Sequence, residues 1–311
     1  MTFPVTYQPC KDTSNRLFTE SKGSGPRLVL VHGFTQTSRL WGKFGDLLAA
    51  QRQTISVDLP GHGSDQSASI RADIQGCARI LIETIGDLIA PDASLVDGTS
   101  FVDDASDKYY NGDGSDNHAF EFDLLGYSLG ARVALQTALM YPKNIRRLIL
   151  ISGTPGIIDQ DQRSIRKDRD NELATRLEES KDTEGFLRGW LSSPMFSRLS
   201  VEEANLKERL RNSADGLASS LRLAGTGTQV PLWDLLAQLE VPTLLVTGMT
   251  DIKFTSIANN MTVATSKCTL SVVPGAGHAV HLEQPERCAT IVEHWFTSNA
   301  HLDAKADTRR Q

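Results

Sequence analysis

The chain has no long apolar run: no stretch of its 311 residues approaches the length needed to cross a membrane as a helix. Its first residues, Met1-Thr2-Phe3-Pro4-Val5-Thr6-Tyr7, show no charged segment followed by an apolar one, so no secretory leader is read there. Cysteine is scarce. Cys10, Cys77, Cys268 and Cys288 are widely separated, which excludes a disulfide framework and a Cys-x-x-Cys motif. These absences lead to the expectation of a reducing, cytoplasmic setting. An excess of positive charge is also missing: 32 basic side chains against 38 acidic leave a net charge of −6 and a pI near 5.7. That balance argues against nucleic acid or a membrane surface as partner, while leaving room for a local cationic pocket. There is no internal repeat. With 40% hydrophobic and 23% charged residues the composition is that of a globular chain, not a disordered, collagen-like or coiled-coil one. The length suits one large α/β domain with an insertion, or two ordinary domains.

Short aliphatic and β-branched runs recur: Arg27 to His32, Thr54 to Asp58, Phe120 to Gly126, Arg146 to Ser152, Thr243 to Gly248 and Thr269 to Pro274. Most end in Gly, Ser or Asp and read as buried parallel strands. Between several of them lie stretches with apolar residues three and four apart, such as Ile70 to Ile85 and Val133 to Tyr141, which read as helices. Alternation of strand and helix predicts a mostly parallel, doubly wound α/β sheet. Two segments interrupt it. From about Pro155 to Pro231 helices follow one another without a strand, over Asp170 to Glu179, Glu184 to Leu191, Val201 to Asn212 and Leu217 to Ala224. The expected organisation is a core of residues 1–154 and 232–298, a helical cap inserted at 155–231, an acidic flexible insertion at 91–118 and a polar tail at 299–311. The acidic insertion holds seven aspartates against Lys108 and reads as a solvated loop. Its Asp113-Gly114-Ser115-Asp116-Asn117 run does not make a calcium loop, because His118 stands at the sixth position and Leu124 at the twelfth.

Gly126-Tyr127-Ser128-Leu129-Gly130 lies where a strand runs into a helix, the context that gives Gly-x-Ser-x-Gly its meaning. A sharp turn there has no room for neighbouring Cβ atoms and lifts the serine hydroxyl clear of the sheet. A serine hydroxyl needs a base, and the base needs an orienting carboxylate. Asp251 and His278 follow the ends of two later strands, in the chain order of the α/β-hydrolase fold. Loops at the carboxyl ends of adjacent parallel strands converge on one crevice. His32-Gly33-Phe34 ends the first long strand, so the amides of Phe34 and Leu129 are the oxyanion-hole candidates. His62 reads as a turn residue. His281, three residues after His278, has no third ligand to make a metal site, and none is expected.

His32-Gly33-Phe34, Asp58-Leu59-Pro60-Gly61-His62-Gly63, the serine turn, Asp251 and Gly277-His278 together resemble the α/β-hydrolase superfamily over nearly the whole chain. More narrowly, Gly126 to Arg132, Gly153-Thr154-Pro155-Gly156-Ile157, Gly225-Thr226-Gly227-Thr228-Gln229 and Asp251-Ile252-Lys253-Phe254 resemble the 2-succinyl-6-hydroxy-2,4-cyclohexadiene-1-carboxylate synthases of menaquinone biosynthesis. That resemblance implies a lyase without cofactor, which eliminates pyruvate from 2-succinyl-5-enolpyruvyl-6-hydroxy-3-cyclohexene-1-carboxylate. A small tricarboxylate substrate calls for several cations, and arginine binds a carboxylate through its planar fork. By the resemblance, Arg132, Arg166, Arg211, Tyr127 and Trp190 bind substrate. Two features depart from the family pattern: Ala131 replaces a common third glycine, and the 91–118 segment is longer than usual and is expected to lie away from the entrance. The triad alone also suits a serine ester or carbon-carbon bond hydrolase. A non-catalytic binding protein on this fold is a further alternative, to which a complete Ser128, Asp251 and His278 set is ill suited.

Overall fold

The computed structural model describes residues 16–63, 65–89 and 120–300. The 91–118 insertion, with its Asp113 to Asn117 run, and nearly all of the 299–311 tail lie outside these residues. Seven strands form one sheet in the order β1-β3-β2-β4-β5-β6-β7. They are β1 (Thr19–Lys22), β2 (Arg27–Val31), β3 (Gln53–Val57), β4 (Phe122–Tyr127), β5 (Ile145–Ile151), β6 (Thr243–Gly248) and β7 (Cys268–Val273). All neighbours pair in parallel except β1, which runs antiparallel to β3. Six strands coincide with the apolar runs of the sequence, to within a few residues at the ends. The seventh, β1, was not legible: Thr-Glu-Ser-Lys has no apolar alternation, and its residues are all half-buried. Pairing with Thr54 to Val57 makes it a strand, and its charged side chains blunt the sheet edge.

Parallel neighbours require crossover helices, and these cover both faces. Beyond the short α2 (Asp65–Ala68), α3 (Ile74–Ile89), α4 (Leu129–Met140) and α10 (Ile252–Ala264) pack on Val29, Val31, Leu124 and Leu148 on one face. On the other, α1 (Gly42–Ala49), α11 (Val280–Glu283) and α12 (Pro285–Ser298) pack on Leu28, Leu30, Leu125 and Ile149. The alternation along β2 sends Val29 and Val31 into one core and Leu28 and Leu30 into the other. All four are fully buried, and each contributes about 1.5 to 3 kcal/mol on transfer from water. At the amino end of β4, Asp123 is gripped by the guanidinium forks of Arg146 and Arg147 at 2.8 to 3.2 Å, far from the strand ends that carry Ser128 and Asp251.

Between β5 and β6 the described residues include α5 (Gln160–Ser180), α6 (Thr183–Leu191), α7 (Val201–Ala204), α8 (Leu206–Arg209) and α9 (Ala214–Ala224). Ala174, Leu177, Leu187, Leu217 and Leu221 give them an apolar cluster of their own. Helix α5 starts at Gln160, well before the expected Asp170. Its first turns are too polar to show a period, but the Asp159 carboxylate caps them by accepting from the Gln162 amide at 2.8 Å. The expected single helix over Val201 to Asn212 is broken at Asn205, which takes a left-handed φ of 43°. Asparagine tolerates that conformation, and its side chain starts the next turn by accepting from the Glu208 amide. No helix among the described residues is long and apolar enough to cross a membrane.

Candidate active site

Ser128 sits between β4 and α4 with φ 51° and ψ −105°, a strained conformation for a residue with a Cβ. The two flanking glycines are obligatory. A Cβ on Gly126 would stand 2.2 Å from the Gly130 carbonyl oxygen, and one on Gly130 would stand 1.9 Å from that of Val31. Ala131, where a glycine is common, is buried against Gly153, and the missing side chain there leaves space for its methyl group.

The Ser128 hydroxyl lies 3.1 Å from His278 Nε2, and His278 Nδ1 lies 2.7 Å from Asp251 Oδ2. His278 is 1% exposed, so its ring is almost wholly shielded from solvent. Asp251 also accepts from the Phe254 amide at the start of α10, which fixes its rotamer. The backbone around His278 is clamped by residues that sequence reasoning did not single out. Ser152 Oγ donates to the His278 carbonyl at 2.8 Å, and the Glu283 carboxylate accepts from the Gly277 and Ala279 amides at 2.5 and 3.0 Å.

Neither amide proposed for an oxyanion hole has an acceptor among the described residues. Leu129 opens α4, so its N–H has no helical carbonyl to bond. On the His32-Gly33-Phe34 loop, Gly33 donates to Gln36 Oε1 and Thr35 donates to His62 Nε2, and only the Phe34 amide between them has no acceptor among the described residues. His62 is therefore a buried brace for this loop. His32 plays the same part, accepting from the Leu59 amide at 3.0 Å. Burial lowers the His32 pKa to about 4 and that of His62 to about 3, so both are neutral acceptors.

Ser128 opens into a cleft of about 330 Å³. Arg132, Arg166 and Trp190 line it, as the resemblance implied, and so do Arg169 and Lys253. Thr154 and Thr226, from the short runs that carried the narrower resemblance, line it too. Arg132 is 7% exposed and donates to Gln229 Oε1 at 3.0 Å. Burial, then the neighbouring Arg166, lower its pKa to about 10, and the charge of Asp170 offsets them only in part. Arg166 is different: its Nε lies 2.9 and 3.0 Å from the two oxygens of Asp170. Trp190 Nε1 and Ser193 Oγ are buried without a partner among the described residues, and the Trp190 ring meets Phe34 edge-on at 5.0 Å.

Two expected residues are placed elsewhere. Tyr127 is buried behind the cleft, its ring centroid 5.5 Å from that of His278 and 4.3 Å from that of His281. Arg211 is not among the cleft residues: it lies exposed on the turn after α8, 3.2 Å from Glu208. The turn sends its neighbour Arg209 inward instead. Arg209 is 2% exposed and donates to Thr35 Oγ1 at 2.6 Å and to the Ala204 carbonyl at 2.7 Å. Nothing in Arg209-Leu210-Arg211 marks which arginine is buried. Among the described residues no group of three or more His, Cys, Asp or Glu side chains could hold a metal ion.

Residues 28–291 match the model of the alpha/beta hydrolase family. The chain is 30% identical, over 86% of its length and 90% of the other's, to the 2-succinyl-6-hydroxy-2,4-cyclohexadiene-1-carboxylate synthase of Enterobacter sp. (strain 638). It is similar to the solved structure of MenH from S. aureus, with a TM-score of 0.75 and 27% identity over 90% of this chain and 98% of that one. A thermophilic esterase from Thermogutta terrifontis, with malate bound, has the same fold at 22% identity and a TM-score of 0.70, covering 91% of this chain and 93% of the other.

Proposed function

The chain belongs to the alpha/beta hydrolase family and, within it, to the 2-succinyl-6-hydroxy-2,4-cyclohexadiene-1-carboxylate synthases, and we propose that it acts through Ser128, His278 and Asp251. It is a lyase of menaquinone biosynthesis, eliminating pyruvate from 2-succinyl-5-enolpyruvyl-6-hydroxy-3-cyclohexene-1-carboxylate. In our reading His278 takes the Ser128 proton and Asp251 stabilises the resulting imidazolium. Ser128 then removes the proton beside the succinyl ketone. The electron pair left on carbon is delocalised into the ring as a dienolate, the carbon-oxygen bond to the enolpyruvyl group breaks, and the departing enolate takes up a proton to become pyruvate. The Phe34 and Leu129 amides offer donors to the developing oxyanion. Residues 155–231, which we read as the cap, contribute Arg166 and Trp190 to the wall of the cleft.

The observation that carries this reading is the charge of the cleft: among the described residues four cations line it against the single carboxylate of Asp170. A neutral ester has no use for such a lining, whereas a tricarboxylate does. The test is a pair of assays on the purified protein, one following pyruvate release from the enolpyruvyl substrate and one following hydrolysis of a neutral p-nitrophenyl ester. Efficient pyruvate release is expected. Efficient ester cleavage without pyruvate would return the site to a serine hydrolase.

A further inference from the structure

Four arginines of residues 155–231 are ion-paired: Arg166 lies on Asp170, Arg188 on Glu184, Arg211 on Glu208 and Arg222 on Glu178. Arg163, Arg169, Arg176, Arg198 and Arg209 have no carboxylate partner among the described residues, and of these five only Arg169, on α5, lines the cleft.

Lys253 lines the same cleft from the core side and likewise has no carboxylate partner among the described residues. It stands in the first turn of α10, two residues after the N-cap carboxylate of Asp251, which is engaged by the Phe254 amide and by His278. Its ammonium lies 5.7 Å from the Phe254 ring centroid, and that ring packs on His278 at 4.5 Å. A cation without a counter-ion among the described residues, beside the ring that walls the catalytic base, is placed for what enters the cleft.

We propose that Arg169 and Lys253 form a carboxylate subsite at the mouth of the cleft, holding the substrate carboxylate farthest from Ser128. The inference rests on the reading of the substrate as a tricarboxylate. Arg166 is neutralised by Asp170, so the cleft keeps an excess of three positive charges, supplied by Arg132 at depth and by Arg169 and Lys253, both exposed, at the rim. Because the pair spans the inserted helices and the core, an anion bound between them ties the two together. Both side chains are unpaired, so binding the anion breaks no existing ion pair.

The test uses the full chain with Arg169→Gln, Lys253→Gln and the double substitution. In low salt each single change is expected to raise KM for the enolpyruvyl substrate about three- to ten-fold, the double change more, with kcat within about two-fold. The difference from wild type should narrow as ionic strength rises from about 0.02 M to about 0.5 M, and Arg169→Lys should keep most of the affinity. A merely structural role would produce neither the salt dependence nor the rescue. A double variant with wild-type KM in low salt overturns the proposal. Calorimetry with tricarballylate and its dicarboxylate counterpart glutarate forms a second arm, in which the double substitution should weaken the tricarboxylate selectively. If wild type releases no pyruvate, the lyase reading falls by itself. The calorimetric arm then decides the subsite: selective loss of tricarballylate upholds it, and equal binding by wild type and variant overturns it.

Discussion

Ser128, His278 and Asp251 are joined by hydrogen bonds of 3.1 and 2.7 Å, and groups linked in this way act as one unit, so losing one costs nearly as much as losing all. Ser128→Ala, His278→Ala and Asp251→Asn are each expected to lower pyruvate release by about three orders of magnitude or more. Circular dichroism should find the fold intact. Near-wild-type turnover in Ser128→Ala would remove the serine from the mechanism. The arginines separate by environment, not by residue type. Arg132 is buried, with Gln229 as its one hydrogen-bond partner among the described residues, so removing it leaves a bound carboxylate unpaired in a dry site, at about 2 to 5 kcal/mol. Arg132→Ala should therefore lose roughly thirty-fold to several thousand-fold in kcat/KM. Arg211→Ala removes an exposed side chain paired with Glu208 and should stay within about five-fold. Steady-state kinetics on the two variants checks the contrast, and equal losses would return Arg211 to the substrate.

At the scale of elements, the loop that carries the Phe34 amide is held from two sides. His62 accepts from the Thr35 amide on the core side, while Asn212, after α8, donates to the Thr35 carbonyl at 2.9 Å and accepts from the Gly63 amide at 2.9 Å. Arg209 adds a bond to the Thr35 hydroxyl. Thr35 needs such bracing because its φ of 67° is costly for a branched side chain. The inserted helices thus help to set the position of the proposed oxyanion donor, the Phe34 amide. Asn212→Ala should lower kcat about ten-fold with KM nearly unchanged, since the donor acts on charge developed in the transition state. It should also cost about 1 to 3 kcal/mol of stability, read by urea unfolding, because buried backbone groups lose their partners. A rise in KM at constant kcat would show that the latch shapes the cleft and not the oxyanion hole.

For the molecule as a whole, three buried histidines make stability depend on acidity. Burial lowers His32 to about 4, and His62 and His281 to about 3, from an ordinary value near 6.5. Below pH 6.5 the unfolded chain takes up protons that the folded chain refuses. Stability is therefore full above pH 6.5 and falls as pH drops toward 4, with a slope near 1.4 kcal/mol per pH unit for each fully responsive histidine. His281 contributes most simply. It packs between Trp41, Phe44 and Tyr127 with neither ring nitrogen bonded among the described residues. Replacing it with phenylalanine keeps the shape and removes two unsatisfied polar atoms, so His281→Phe should be more stable than wild type at pH 5 and should flatten the acid slope by about one proton. Urea titrations between pH 4 and pH 7.5 measure both effects. An unchanged slope would mean that the ring is solvated or protonated in the folded state.

Local pattern was enough to read six of the seven strands, the serine turn and the chain order of Ser128, Asp251 and His278. Continuous apolar runs can be buried only between two helical layers, the turn tolerates only glycine at Gly126 and Gly130, and loops at the ends of parallel strands converge. The short strand β1 escaped because its pairing with β3, not its own residues, makes it a strand. Arg209 and Arg211 lie two residues apart with nothing local to distinguish them. Which one is buried is decided by Thr35, 174 positions away in the chain. The same holds for Ser152, whose bond to the His278 carbonyl spans 126 positions. Arg166 meets Asp170 one turn along the same helix, a local spacing, whereas the burial of Asp170 comes from tertiary packing. Residue type and spacing thus determined the chemistry available to the chain. The cation left without a partner, the amide left without an acceptor and the histidine left neutral were decided by tertiary structure, because pairing and burial arise from contacts between segments remote in sequence.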